Sequence, residues 1–405
     1  MVIASTRVET ARIERLVAGG DGLARLADGR VVFVEGGLPG ELIDIEIIEA
    51  KKDFARGVVS RIVERSPDRV VEPCPFVAAG CGGCSWQHLD PARHLDAKVE
   101  IVREALRRTA RMHDVPVHAG AALPPHGSRT TLRMAVGADG RLGFRRAHSH
   151  DVVEVDRCLV AHELLADIIA NARVTGAAEA TLRCGVDSRE RGIWLHDERG
   201  YDVKTATVDG LSPDVLVGRR SVIHERVHGV EFRVSMPTFF QSSPLAAELL
   251  VSAVNDAAGD EALSGDFGPI VDAYGGCGLF SATLVDLDVD VTVVESSRSA
   301  CADAKINLDD HQARIDEVAF EQWAPTRAGL VIADPARNGL GKRGVDVLAA
   351  TGAPRVVLVS CDAVAGARDI ALLVERGYRC DEVTVLDLFP NTPHVEVVTR
   401  LTLQS

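Results

Sequence analysis

Two groups of thiols are the residues best placed to do chemistry. One is a single cysteine, Cys361, directly after the apolar run Arg355-Val-Val-Leu-Val-Ser360. A short apolar run bounded by Pro354 and by polar residues reads as a buried parallel strand, and ligands in open α/β sheets bind just beyond the carboxyl ends of such strands. Cys361 therefore stands where a nucleophile would be useful, although a free cysteine is just as often a small buried apolar side chain. The other group is Cys74, Cys81 and Cys84. Three thiols within eleven residues, two of them separated by Gly82-Gly83, have the spacing of metal ligands. A fourth, Cys158 or Cys184, would complete a Cys₄ set that suits either zinc or an iron-sulfur cluster.

A third constellation points to a nucleotide-bearing cofactor. Asp272-Ala-Tyr274-Gly275-Gly276-Cys277-Gly278 follows a strand-like segment and leads into a helix, and Glu295 closes the next strand about twenty residues on. Glycines let the backbone approach the ligand, and an acid at the second strand tip accepts hydrogen bonds from ribose hydroxyls. That much fits NAD or S-adenosylmethionine. An expected antiparallel terminal hairpin, Asp272 ahead of the glycines and Asp334-Pro335 at a later strand end favour the methyl donor.

The elements that must position these groups are legible in outline. From Arg7 to Val63 short β-rich runs alternate with turn signals, which predicts a small β-barrel of about five strands. The stretch from Pro91 to Thr109 predicts an amphipathic helix, basic toward its C-terminal end. Between residues 129 and 160 strands are expected, with a hairpin turn at Asp139-Gly140, and Arg129, Arg133, Arg145 and Arg146 alternate with apolar residues so that several would share a face. The last third alternates strand and helix, as a mainly parallel doubly wound sheet does. Its final two strands are joined by Phe389-Pro-Asn-Thr-Pro393, too short for a parallel crossover, so the last strand must run antiparallel.

Composition bounds the function. The chain of 405 residues is too long for one core and predicts two or three domains. No apolar run reaches the ~20 residues of a membrane span, and Met1 to Glu9 lacks the apolar core of an export signal. Nine cysteines in such a chain predict thiol or metal chemistry in a reducing, cytoplasmic setting rather than a disulfide framework. The net charge of −14 argues against a polyanion ligand, but its distribution does not. Between Pro91 and His150 eleven Lys or Arg and six His face five acids, whereas residues 251–330 hold fifteen acids and four bases. A local patch governs polyanion binding more than the global sum.

Taken in order, several motifs resemble the RNA uracil-5-methyltransferases, in the branch acting on large-subunit ribosomal RNA. They are Phe239-Phe240-Gln241, Asp334-Pro-Ala-Arg337, Ser360-Cys361-Asp362 with Ala367-Arg368-Asp369, and Phe389-Pro-Asn-Thr-Pro-His-Val-Glu396. The resemblance covers nearly the whole chain. It implies a multidomain α/β protein: an OB-like TRAM β-barrel for RNA binding over residues 1–64, a central α+β iron-sulfur and RNA-binding domain over 65–235, and a Rossmann-like class I methyltransferase domain over 236–405. By that resemblance Cys361 is the nucleophile and Glu396 the base. The resemblance likewise implies that Gln241, Tyr274, Glu295 and Asp334 contact S-adenosylmethionine and that Cys74, Cys81, Cys84 and Cys158 hold a 4Fe-4S cluster, which is expected to be structural because nothing in the chemistry calls for an electron. The implied partner is RNA, 23S rRNA ahead of tRNA, with neither a membrane nor an obligate protein partner. The chain departs from the family pattern at Asp362 and Leu279, where Asn is common, and in the six-residue gap between Cys74 and Cys81.

The implied chemistry explains the residue types. Carbon 5 of uracil is a poor nucleophile. Addition of a thiolate to carbon 6 makes an enolate whose carbon 5 accepts a methyl group, and a base then removes the carbon-5 proton so that the thiol can leave. The target base must first be turned out of its stack, for which Phe239 and Tyr274 are stacking candidates, while Phe240 reads as core. Transfer RNA methylation, a non-catalytic or redox-sensing iron-sulfur RNA-binding protein and a nicotinamide-dependent oxidoreductase are the rival readings.

Overall fold

The computed structural model describes residues 8–404. Arg7, the expected start of the first strand, and most of the segment read for an export signal lie outside the described residues.

The N-terminal runs fold as expected. β1 (Val8–Leu16), β2 (Gly22–Arg25), β3 (Val31–Glu35), β4 (Leu42–Ala50) and β5 (Phe54–Glu64) close into a barrel in the order β1-β2-β3-β5-β4. Alternation fills it: Ile13, Val32, Val34, Ile43 and Ile45 point inward and are almost fully buried. Gly57 is required where β5 crosses β4, since a Cβ there would lie 2.4 Å from the Ile45 side chain.

Helix α1 (Pro91–Ala105) starts at Asp90, whose carboxylate accepts from the Ala92 amide, and has Pro91 in its first turn. It continues as a wider turn through Leu106–Ala110 and ends at Arg111 in the left-handed region. Its apolar stripe, Val99, Val102 and Leu106, packs into the core of the C-terminal sheet. β6 (Val117–Ala122) then joins that sheet as its edge strand. The expected domain boundary at residue 236 therefore does not divide the packing: residues 91–122 belong with the C-terminal layer. An isolated helix-strand pair has no core of its own and buries its stripe on the nearest sheet.

The central region is a six-stranded sheet containing β7 (Thr131–Val136), β8 (Leu142–Arg145) and β9 (Val152–Glu154), next to β10 (Glu179–Cys184), β11 (Arg191–His196) and β12 (Val215–Val217). A separate hairpin, β13 (Val222–Val227) and β14 (Val230–Ser235), leads into the C-terminal unit.

That unit is an eight-stranded sheet. It holds β15 (Ile270–Ala273), β16 (Val291–Glu295), β17 (Ala313–Glu317), β18 (Leu330–Ala333), β19 (Arg355–Ser360), β20 (Tyr378–Asp387) and β21 (Glu396–Leu403), in the order β17-β16-β15-β18-β19-β21-β20-β6. The first five are parallel, and β21 is antiparallel to both of its neighbours, as the short connecting loop requires. Helices cover both faces, so strands such as Leu330–Ala333 are buried throughout.

Candidate active site

The register of the C-terminal sheet brings the reactive groups together. Ser360 of β19 stands opposite Val397 of β21. Because the two strands are antiparallel, Cys361, one residue on, faces Glu396, one residue back. Ala333 of β18 pairs with Leu358 of β19, so Asp334 emerges at the adjacent strand tip. Gln241 reaches the same point, its Nε2 standing 3.5 Å from Asp334 Oδ2. Four residues named from the sequence thus meet although they lie up to 155 positions apart.

Burial dominates the electrostatics there. Glu396 is 4% exposed, its pKa is pushed well above the carboxylate range by burial and further by the charge of Asp334, and its Oε1 has no hydrogen-bond partner. Asp334 is raised by burial and by Asp272. The Cys361 thiol is pushed up to about 11 by burial first, then by Glu396 and Asp334, with Arg337 opposing. Ser360 Oγ is also buried without a partner. Orphaned buried polar atoms at strand tips are the mark of a site that completes its hydrogen bonds with a ligand. Asp334 is not a helix cap, because the next helix begins only at Gly341, after Leu340.

Asp362 has a structural task. Its Oδ1 accepts from the Val364 and Ala365 amides at 3.0 and 2.9 Å, capping the helix over Ala363–Val374, and its Oδ2 lies 3.6 Å from Arg337 Nε. A carboxylate there suits the helix dipole.

The glycine turn forms the second wall. Tyr274, Gly276 and Gly278 all have positive φ (59°, 56° and 87°). A Cβ on Gly275 would approach Asp272 Cγ to 2.9 Å, whereas one on Gly276 would meet nothing within 4 Å, so the backbone there is open to a ligand. Glu295 is oriented by the turn itself: Oε2 accepts from the Gly276 amide at 3.2 Å and Oε1 from the Ser297 amide at 2.5 Å. Asp272 is fixed by the Ser281 hydroxyl at 2.6 Å, yet burial pushes it up to about 6 and its Oδ1 has no partner. Tyr274 donates to Glu321 at 2.6 Å and packs on Phe320. Leu279 is buried in the core below the turn. An open glycine wall with an acid at the neighbouring strand tip fits the nucleoside end of S-adenosylmethionine.

Gln241 is held from behind. Arg183, which the sequence did not single out, donates to the carbonyls of Ser235 and Thr238, both at 2.8 Å. Asp303, fully buried, accepts from the Ser235 amide and the Thr238 hydroxyl and pairs with Arg233. Beyond this clamp Phe240 is core, against Phe232, while Phe239 is 73% exposed. No spacing rule links Arg183 to Thr238, so the clamp has no signature in the sequence.

Cys74, Cys81, Cys84 and Cys158 line one cavity of about 310 Å³, together with Arg129, Thr392 and His394. Gln87 ties its rim by accepting from the Cys74 amide at 3.1 Å. Burial raises the thiols of Cys81, Cys84 and Cys158, that of Cys84 to about 11. Cys184, the other candidate, is buried in the core of the central sheet. The expected ligand set is thus gathered, but among the described residues no three His, Cys, Asp or Glu stand close enough together to hold a metal ion. The sulfurs line the cavity from three stretches of chain, Cys74, Cys81 with Cys84, and Cys158, and a single tetrahedral ion would need them within about 4 Å of each other.

The basic surface is less free than its composition suggests. In α1, Arg103 pairs with Glu100, and Arg107 and Arg108 with Glu104. Arg133 and Arg145 do share a face, where both are bound to Glu179. Arg129 lies over the Phe389 ring at 5.6 Å, and Arg146 is exposed. No helix among the described residues is long and apolar enough to cross a membrane.

A family model of the TRAM domain matches residues 6–60. An uncharacterized RNA methyltransferase of Streptomyces coelicolor is 34% identical over 95% of this chain and 90% of its own length. One of Gloeobacter violaceus is 33% identical over 97% and 96%. Among solved structures, the tRNA (uracil-54, C5)-methyltransferase of Pyrococcus abyssi in complex with S-adenosyl-L-homocysteine superposes with a TM-score of 0.70 at 26% identity, covering 97% of this chain and all of that one.

Proposed function

The chain belongs to the RNA methyltransferase family, and from that premise we propose that it methylates carbon 5 of a uridine in RNA through a covalent adduct with Cys361. The observation that carries this reading is the register that sets Cys361 against Glu396 with Asp334 at the next strand tip. S-adenosylmethionine, bound between Gly276, Glu295 and Gln241, supplies an electrophilic methyl group. The chain's own residues do the rest. Once its thiol proton is lost to solvent, Cys361 Sγ adds to carbon 6 of the ring, moving the carbon 5–carbon 6 electron pair toward the carbon-4 carbonyl oxygen as an enolate; carbon 5 takes the methyl group, leaving the electron pair of the broken sulfur–methyl bond on the donor's sulfur. Glu396, as carboxylate, removes the carbon-5 proton, the carbon 5–carbon 6 double bond re-forms and the thiolate leaves.

Burial makes both the Cys361 thiol and Glu396 hold their protons more tightly than usual, so the reacting thiolate and carboxylate are both favoured as pH rises. Phe239, exposed two residues before Gln241, is the proposed stacking partner of the turned-out base.

Large-subunit ribosomal RNA in the cytoplasm is the proposed substrate, on the motif resemblance. The similarity to an archaeal enzyme acting on tRNA favours transfer RNA as the second reading. The four cysteines are proposed to hold a 4Fe-4S cluster, because four half-buried thiols line one cavity and a thiol becomes a ligand when a metal group takes its proton. Anaerobic reconstitution should then yield about four irons and four sulfides per chain.

Incubation with the methyl donor and either 23S rRNA or tRNA transcripts, followed by digestion to nucleosides, tests the activity. The expected product is 5-methyluridine from the ribosomal transcript. A methylated nucleoside of any other kind would overturn the reading.

A further inference from the structure

Lys98 has no exposed surface, although it sits in a helix whose other charges face solvent. Its ammonium donates to Asp387 Oδ1 at 2.5 Å, and Asp387 is itself only 2% exposed. An ion pair buried this completely costs desolvation that an apolar pair of the same volume would not. What the apolar pair would lack is the ability to fix backbone, and the lysine does that as well: Nζ donates to the Phe389 carbonyl at 3.0 Å.

The position of this pair is informative. Asp387 ends β20, and its neighbour Leu386 is the register partner of Glu396 at the start of β21. The turn between the two strands is held at further points. Asn391, in the left-handed region at φ 62°, donates from its side chain to the Pro125 carbonyl at 2.7 Å and accepts at its own carbonyl from the Trp86 amide at 2.9 Å. Its amide faces Nδ1 of the buried His94 at 3.4 Å, while His94 Nε2 lies 3.1 Å from the Leu89 carbonyl. An Nε2-protonated imidazole satisfies both contacts, donating to Leu89 and accepting from Asn391. Glu396 Oε1, by contrast, is buried with no partner. Its direction is therefore set by where the turn delivers its backbone.

We propose that Lys98 and Asp387 are positioning residues for Glu396, locking the Phe389–His394 turn so that the carboxylate meets the carbon-5 proton of the methylated ring. The inference rests on the covalent reading above. It separates two steps: the pair serves proton removal, and attack by Cys361 does not need it.

The test uses the full chain with two RNA substrates, one of ordinary uridine and one substituted with 5-fluorouridine, from whose carbon 5 no proton can leave. Lys98→Met and the milder Asp387→Asn, which keeps the volume and an acceptor for the lysine, are compared with the unmodified protein. Both variants are expected to trap 5-fluorouridine RNA within about twofold of the normal rate. On ordinary RNA Lys98→Met should accumulate a methylated protein–RNA adduct on denaturing gels, with product release slowed about a hundredfold. Asp387→Asn should show the same adduct at a lower level. Slowed trapping in step with slowed release in both variants, or turnover without adduct in both, would overturn the proposal. Failure of the unmodified protein to trap the fluorinated RNA would instead remove the covalent reading itself, and this inference with it.

Discussion

The two thiol-bearing regions of the molecule are built in opposite ways. Cys361 and its partners stand at the tips of β18, β19 and β21, where ladder hydrogen bonds fix each backbone and the register decides which side chains meet. Cys74, Cys81, Cys84 and Cys158 come from loops, Cys74 at the start of a single turn of helix and Cys81 tied to Arg146 by an isolated bridge rather than a strand ladder. The first region is shaped before any ligand arrives, as a site that must hold reacting atoms in line should be. The second gathers its donors around a cavity and leaves their final closure to whatever binds. On the proposed function, chemistry belongs to the first region and cohesion between segments to the second.

Replacing Cys361 by Ala is the most damaging way to sharpen that contrast. Turnover should vanish, by at least about 10⁴-fold, with thermal stability unchanged, as measured by methyl incorporation and calorimetry. Glu396→Gln should lower turnover by about 10²–10⁴-fold while a methylated adduct accumulates. It also removes a charge that raises the thiol, so the pH profile of 5-fluorouridine trapping, which climbs toward a Cys361 pKa of about 11, should move to lower pH. Cys84→Ala, in the adaptable region, should act on stability instead, lowering the thermal midpoint by about 5–10 °C with RNA methylation per folded molecule little changed. A wholesale loss of activity at full stability would break the division between the two regions. Asp362→Asn should matter least: an amide also caps the helix, so turnover should stay within about threefold, read from initial rates.

Much of the rigid region was legible in the sequence because its signals are local. An apolar run ending in Ser360-Cys361, a glycine turn after a strand and a loop too short to cross over each state their geometry within ten residues. The antiparallel β21 followed from that loop, whereas Cys361 and Glu396 were named through the resemblance and their opposition appears only in the strand register. Cys74, Cys81 and Cys84 were also legible as a set, since thiols clustered near Gly82-Gly83 are rare by chance, but Cys158 joined them only through the resemblance. What stayed hidden depends on contacts between distant residues. Lys98 and Asp387 are 289 positions apart, and a lysine on a basic helix looks solvated. Its place on the buried side, four residues after His94, was the available hint. Arg183 reaching Thr238 had no hint at all. The attachment of residues 91–122 to the C-terminal sheet was missed because an amphipathic helix announces that it will be buried, not against what.

The central claim is that one sulfur, Cys361 Sγ, bonds transiently to carbon 6 of a uridine. Mass spectrometry of the protein after incubation with a 5-fluorouridine-substituted RNA and S-adenosylmethionine tests it most directly. The account predicts a peptide containing Cys361 that carries the fluorinated, methylated nucleotide, absent when Cys361 is replaced by Ser. An adduct on another residue, or methylation of ordinary RNA by the Cys361→Ser protein at the normal rate, would contradict it.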